Sequence, residues 1–293
     1  MTHRKAVWLM VAAALMWSIA GVVTRHLDQA RSFEVTFWRS GFNALALVVL
    51  LAWLRGPATL ARTLRGGGRA LWLSGLCWSV MYTAFMVGLT LTTVANVLVT
   101  MALAPLLTAL AARIALGYRL PARTWAAIAL AGAGIAWMYG REFSAGDPRH
   151  LLGTLVALAV PLAAAVNWTL LQKLRHEAGS DMLPAVLLGA LISAAVTLPL
   201  AWPLAASAHD IGLLALLGVV QLAIPCLMAV AVARVLSAPE ISLLGLLEVI
   251  FGVAWAWLGA GEAPSPAVLA GGALVLLALA GNEALGLRAG RAG

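Results

Sequence analysis

One acid lies deep within an apolar stretch of the chain: Glu248, about eight residues into the run 241–260. A carboxylate placed in hydrocarbon costs about 3 kcal/mol or more unless it is paired, hydrated or protonated. Glu248 therefore reads as a contact for a ligand ammonium, as a proton carrier, or as a structural acid hydrogen-bonded between helices. Arg39 lies about six residues into another apolar run, 33–54. Its long stem would let the guanidinium snorkel to the headgroups, and that is the expectation for it. Its other use would be to pair with an acid or with a ligand carboxylate.

Aromatic residues form the second group. Tryptophans usually gather at the membrane–water interface, and Trp8, Trp53, Trp72, Trp125, Trp137, Trp202, Trp255 and Trp257 can be read as such a belt. Trp17 and Trp168 stand away from the ends of their runs and fit it less well. Trp78, Tyr82 and Phe85 are spaced i, i+4 and i+7, which places them on one helical face. Together with Trp17 and Trp168 they could wall a cavity where an aromatic or flat cationic ligand stacks. Plain helix packing is the competing use.

Ser18, Asn43, Ser79, Asn96, Thr100, Asn167 and Gln221 fall within or near apolar runs, and each polar group there needs a partner. Interhelical hydrogen bonding is the default for any one of them. Ser18, Asn96, Thr100, Asn167 and Gln221 also join the candidate ligand contacts, with Asn167, beside Trp168, foremost. Pro105, Pro161 and Pro225 lie inside runs, where each removes a backbone donor and frees a carbonyl; they are candidate hinges. Gly132, Gly134, Gly271 and Gly272 read as close helix contacts. Enzyme chemistry finds no constellation. All five histidines lie in loops or tails, and no Ser–His dyad, paired aspartates or metal-ligand spacing occurs within the runs. No metal or cofactor is expected. Cys77 and Cys226 sit in apolar runs and read as buried free thiols.

These side chains can be positioned only by elements that lipid solvates. Of 293 residues, 63% are hydrophobic and 10% charged, against about 25% charged in a typical soluble domain. So few charges cannot cover a soluble surface of this size. The net charge of +8 comes from arginines scattered between apolar runs, not from a basic patch, so no nucleic-acid partner is expected. A spanning helix needs about 20 mainly apolar residues. Ten candidates meet that need: 6–24, 33–54, 70–90, 94–116, 122–140, 151–172, 184–205, 211–236, 241–260 and 266–286. The first lacks a small-residue cleavage site and is read as a retained helix, not a signal peptide. The break between the third and fourth spans, at Thr92-Thr93, is the weakest.

With the N-terminus cytoplasmic, the cytoplasmic segments hold 14 of the 19 Lys and Arg. The opposite side holds four, Arg25, Arg31, Arg141 and Arg149, and Arg39 lies within a span. This bias places both termini inside. The halves also repeat. Gly88–Asn96 falls opposite Val232–Glu240, and Leu103-Ala-Pro105 opposite Leu247-Glu-Val249, at a constant offset of 144. Trp17-Ser18 matches Trp168-Thr169 at an offset of 151. Five spans per repeat is odd, so the second copy enters the membrane inverted, and such folds place a ligand site near the midplane between the halves. The expected fold is all-α and integral to the membrane, with ten transmembrane helices in two inverted five-helix repeats, 1–145 and 146–293.

On these motifs the chain resembles the drug/metabolite transporter superfamily, in particular its ten-helix EamA-type members. Leu103-Ala-Pro-Leu-Leu and Leu247-Glu-Val-Ile-Phe stand where that family has its helix-four and helix-nine motifs, and Gly261-Glu262 matches its Gly-Glu after helix nine. The first half departs there, with Gly117-Tyr118. The resemblance implies an alternating-access exporter in a bacterial inner membrane. The length, the first helix and the aromatic third helix resemble the family's aromatic amino-acid exporters. Another metabolite or a cationic drug is the alternative substrate; a membrane receptor, an assembly subunit or an intramembrane enzyme is the non-transport alternative.

Overall fold

A computed structural model describes residues 1–30, 32–92, 97, 100–101, 103–117, 119–139, 148–174, 181–260 and 266–289. The described residues are helical with turns and no strand. In chain order the helices are α1 (His3–Trp17), α2 (Ala20–Thr24), α3 (Ser32–Arg55), α4 (Pro57–Gly66), α5 (Arg69–Leu91), α6 (Ala104–Leu116), α7 (Ala122–Tyr139) and α8 (Pro148–Leu174). There follow α9 (Leu183–Ala201), α10 (Ala208–Leu216), a π-helical segment (Leu217–Ala223), α11 (Ile224–Val232), α12 (Ala238–Gly245), α13 (Leu247–Ala260) and α14 (Pro266–Ala289).

Seven helical runs among the described residues are long and apolar enough to cross a membrane: His3–Thr24, Phe33–Arg55, Arg69–Leu91, Leu152–Leu174, Leu183–Ala201, Ala208–Val232 and Ala238–Gly259. The other three expected spans carry α6, α7 and α14, of which Ala104–Leu116 and Leu269–Asn282 are shorter apolar helices. The loop expected after the second span contains a helix instead. In α4, Pro57 starts the helix, Leu60 is buried and Arg62 is exposed, so it lies along the protein with one apolar side inward.

Helix α5 packs on α8, α9 on both α3 and α5, α6 on α8, and α7 on α14. Helix α1 packs on α11, α12 and α13, α3 on the π-segment, and α12 on α6. Glycines set the closest of these approaches. A Cβ at Gly218 would stand 2.7 Å from the Arg39 carbonyl oxygen, and one at Gly134 would stand 2.6 Å from that of Gly271. Gly132 has open space around it, so the close contact expected of both glycines belongs to Gly134. Trp8, Trp53, Trp72, Trp137, Trp202 and Trp257 are exposed, as a lipid-facing belt requires. Trp125 and Trp255 depart from the expected belt, being only partly exposed. Cys77 and Cys226 are free and buried.

Two buried carboxylates tie loops of the two halves of the sequence together. Glu34 Oε1 accepts from the backbone N–H groups of Ala205 (2.8 Å) and Ala206 (2.7 Å). Asp210 accepts from those of Asp28 (2.7 Å), Gln29 (3.0 Å), Ala30 (3.1 Å) and Ser207 (3.2 Å). Each acid thus binds a loop from the other half of the sequence. Buried backbone donors must find acceptors, and a carboxylate can serve several at once. The sequence pattern placed Asp210 outside a span and drew nothing from Glu34.

Candidate functional site

Among the described residues, four interruptions of the helices meet at one cavity. Helix α1 stops at Trp17 before α2 begins. A turn at Leu103 precedes α6, and a turn at Leu246 separates α12 from α13. The fourth interruption is the π-segment, whose cause is local. Pro225 has no N–H to give the Gln221 carbonyl, and the ladder shifts to i−5 bonding, with Ile224 N–H donating to Val219 O. Trp17, Ala104, Gln221, Leu246 and Glu248, each at or beside one of these breaks, all line one cavity of about 140 Å³.

A helix end inside a membrane must find partners for its last carbonyls. At the end of α1, Ser18 N–H donates to Ala14 O (3.1 Å) and Ser18 Oγ donates to Leu15 O (2.6 Å). Gln221 Nε2 donates to Trp17 O (3.2 Å). The break in α1 and the π-segment are therefore tied to each other, and the bond leaves Gln221 Oε1 without a protein partner.

Aromatic rings make one wall. Trp17, Trp78, Tyr82, Phe85 and Trp168 all line the cavity. Trp78 meets Trp168 edge to face, with centroids 5.5 Å apart at 89°, and lies 5.7 Å from Tyr82. Gly189 lets α9 approach the backbone of α5 at this level; a Cβ there would collide with Trp78 and stand 2.9 Å from Gly75 O. Trp78 Nε1 is buried without a hydrogen-bond partner, and the Tyr82 hydroxyl lies by Asn43 and the Cys226 thiol.

The charged groups come from α3 and α13. Arg39 is 1% exposed and lines the cavity, so it does not snorkel as expected. Its Nη2 donates to Tyr82 O at 2.8 Å, and its Nε is unpartnered. Glu248 lies in the first turn of α13, where the unpaired N–H groups and the helix dipole favour a negative charge. Among the described residues no ion pair joins Glu248 to Arg39, although both face the same cavity.

The remaining expected contacts sit elsewhere. Ser18, Thr100 and Asn167 are buried but do not line the cavity. Asn167 turns its Oδ1 to Ser74 Oγ (2.6 Å), linking α8 to α5. Asn96 lies outside the described residues. Of the three candidate hinges, Pro161 lies inside α8 and lines the cavity. Pro225 lies where α11 continues the π-segment without a break, and Pro105 occupies the first turn of α6, where a missing N–H costs no helical bond.

Snorkelling, the preferred of the two expectations for Arg39, overlooks a signal that places it on an inward face. Thr36, Arg39, Ser40 and Asn43 are spaced i, i+3, i+4 and i+7, and none is more than 1% exposed. A polar stripe at helical spacing within a span marks an inward face. Away from the cavity, Asp28, His209 and Asp210 bring ligand atoms within 4.8 Å of one another, but both Asp210 oxygens are already engaged by backbone donors.

Comparison with known proteins agrees with this architecture. The EamA-like transporter family matches the chain twice, over residues 4–140 and 151–282. A solved crystal structure of a protein superposes with a TM-score of 0.74 at 19% identity, covering 97% of this chain and 99% of that one, which shows a shared fold. No curated protein matches the chain.

Proposed function

The chain belongs to the EamA-like transporter family, and we propose that this multi-pass membrane transporter of small molecules exports aromatic amino acids or related metabolites through the central cavity. The observation that carries the substrate class is the wall of Trp17, Trp78, Tyr82, Phe85 and Trp168, which converges with Arg39, Gln221 and Glu248 on one space. Rings stack on rings, and the unpartnered polar atoms meet the polar end of the ligand.

The mechanism we propose is alternating access between two inverted five-helix halves in a bacterial inner membrane, both termini cytoplasmic. The packing supports it. If α1, α3, α5, α6 and α7 are exchanged with α8, α9, α10–α11, α12–α13 and α14, most of the helix contacts among the described residues map onto one another, the contact of α8 with α12 being the exception. The contact of α5 with α8 answers that of α1 with α11, and α9 with α5 answers α3 with the π-segment. The breaks at Leu103 and Leu246 answer one another likewise. Rocking of the halves would open and close the space between them. Asp210 and Glu34 would have to release the opposite half's loops for the halves to part there.

The test is flux from proteoliposomes loaded with labelled Phe, Tyr or Trp, with unrelated solutes as controls. Export of the aromatic set supports the proposal; flux of unrelated solutes with none for the aromatic set rejects the substrate. A cationic drug is the second reading, favoured by Glu248 on a cavity wall rich in π-faces.

A further inference from the structure

We infer that Arg39 and Glu248 are the two poles of a zwitterion site, so that the cavity takes a free amino acid in preference to its amine or its acid. The inference rests on the substrate proposal above, and it adds that both charges of the ligand are read, and by which groups.

Arg39 is fully buried in the wall of the cavity, and only one hydrogen bond to the protein is shown for its side chain, from Nη2 to the Tyr82 carbonyl. That bond fixes the guanidinium's position while leaving Nε free to donate. A guanidinium offers five donors in a planar fork, which suits a carboxylate. Trp78 Nε1, also buried and unpartnered on this cavity, adds one more donor. A buried cation is expensive without a counter-charge, and the nearest candidate within the protein, Glu248, forms no ion pair with it. A ligand carboxylate would supply the charge.

The opposite pole is acceptor-rich. Glu248 carries the carboxylate, and Gln221 contributes an unpartnered Oε1, because its Nε2 is spent on the Trp17 carbonyl. An ammonium donates three hydrogen bonds and accepts none. It fits acceptors that lack protein donors, and the rings of Trp17 and Trp168 line the same cavity, where a cation can meet aromatic groups. Had Arg39 and Glu248 been paired, the cavity would hold no net pole for either end of a ligand. The two charges feel each other without forming an ion pair, so a zwitterion bound between them would meet a partner at each end.

The test is a binding series on the purified, unmodified protein in detergent, read by thermal shift and calorimetry. L-tryptophan is compared with tryptamine, which lacks the carboxylate, and with indole-3-propionate, which lacks the ammonium. L-leucine, isopentylamine and 4-methylpentanoate form a second set without a ring. The expected result is that tryptophan binds at least about tenfold more tightly than either indole analogue, each of which loses one charge-assisted contact. Arg39→Gln should then weaken tryptophan binding while leaving tryptamine unchanged, and Glu248→Gln should weaken tryptophan while leaving indole-3-propionate unchanged. Equal binding of all three indoles overturns the two poles but keeps the aromatic substrate. Binding of leucine over its amine and acid, with no binding of any indole, keeps the poles and rejects the aromatic substrate. No binding in either set overturns both. The ligand series needs no variant, so a misfolded Arg39→Gln protein does not blunt the test.

Discussion

Replacing Asp210 by asparagine removes one oxygen that accepts hydrogen bonds and the charge on the other. Four backbone N–H groups point at this carboxylate, one at Oδ1 (Asp28, 2.7 Å) and three at Oδ2 (Gln29, 3.0 Å; Ala30, 3.1 Å; Ser207, 3.2 Å). The best asparagine rotamer keeps its oxygen on the three-donor side. Its NH2 then faces the Asp28 N–H, donor against donor. One charge-assisted bond is lost and three become neutral, and bonds to charged groups exceed neutral ones by about 1 kcal/mol each. Partial rehydration of loop 28–30 offsets some of this, and a net loss of about 3 kcal/mol is expected. That corresponds to a fall of roughly 5 to 10 °C in apparent melting temperature in detergent. The bonds to residues 28–30 cross between halves of the chain, so Gln29→Cys combined with Asp210→Asn should also label faster with a water-soluble maleimide than Gln29→Cys alone. Asp28→Asn is the internal control. Its carboxylate is 64% exposed and, among the described residues, pairs with His209 at 3.4 Å, so its loss should change stability by less than about 0.5 kcal/mol. If Asp210→Asn and Asp28→Asn melt together, or if Asp210→Asn leaves the labelling of the introduced thiol unchanged, the assignment of the latch to the Asp210 carboxylate is wrong.

Other substitutions separate packing from binding. Gly134→Ala places a Cβ 2.6 Å from Gly271 O and 3.0 Å from Leu274 Cβ, and should cost about 1 to 3 kcal/mol in thermal stability. Gly132→Ala, two residues away with open space around it, should be neutral or stabilising by about 0.5 to 1 kcal/mol. Asn167→Ala should lower the melting temperature through loss of the 2.6 Å bond from Ser74, by about 1 to 2 kcal/mol, with little effect on ligand affinity. Trp78→Ala should weaken aromatic ligands by on the order of tenfold in direct binding, in addition to the stability lost with a buried ring. Trp8→Ala, on an exposed residue outside the cavity, should leave affinity unchanged.

Much of this molecule was legible in its residues because hydrocarbon imposes a simple rule. A span must be long, apolar and internally hydrogen-bonded, so run lengths and punctuating charges predict where helices fall. The same simplicity explains the aromatic wall. Trp78, Tyr82 and Phe85 share a face by spacing alone, and Trp17 and Trp168 were singled out by their distance from the interface. Their meeting at one cavity was a tertiary event: α1, α5 and α8 come from distant parts of the chain, and Gly189 admits α9 against Trp78.

Spacing could not say which buried polar groups face a ligand and which face another helix. Asn167 and Gln221 look alike in sequence. The first spends its Oδ1 on Ser74, and the second turns an unpartnered Oε1 to the cavity. Arg39 could reach headgroups from its place in the chain, and only the packing of α9 and the π-segment on α3 encloses it. The π-segment itself follows from Pro225, yet Pro105 shows that a proline within a run can simply begin a helix. Likewise Glu34 and Asp210 are ordinary acids near helix starts until folding brings them to loops of the opposite half. Composition and period settle that the chain dwells in lipid and how its helices are cut. Partner identity depends on distances between residues far apart in sequence, which no local pattern carries, and so the polarity of the cavity was decided in three dimensions.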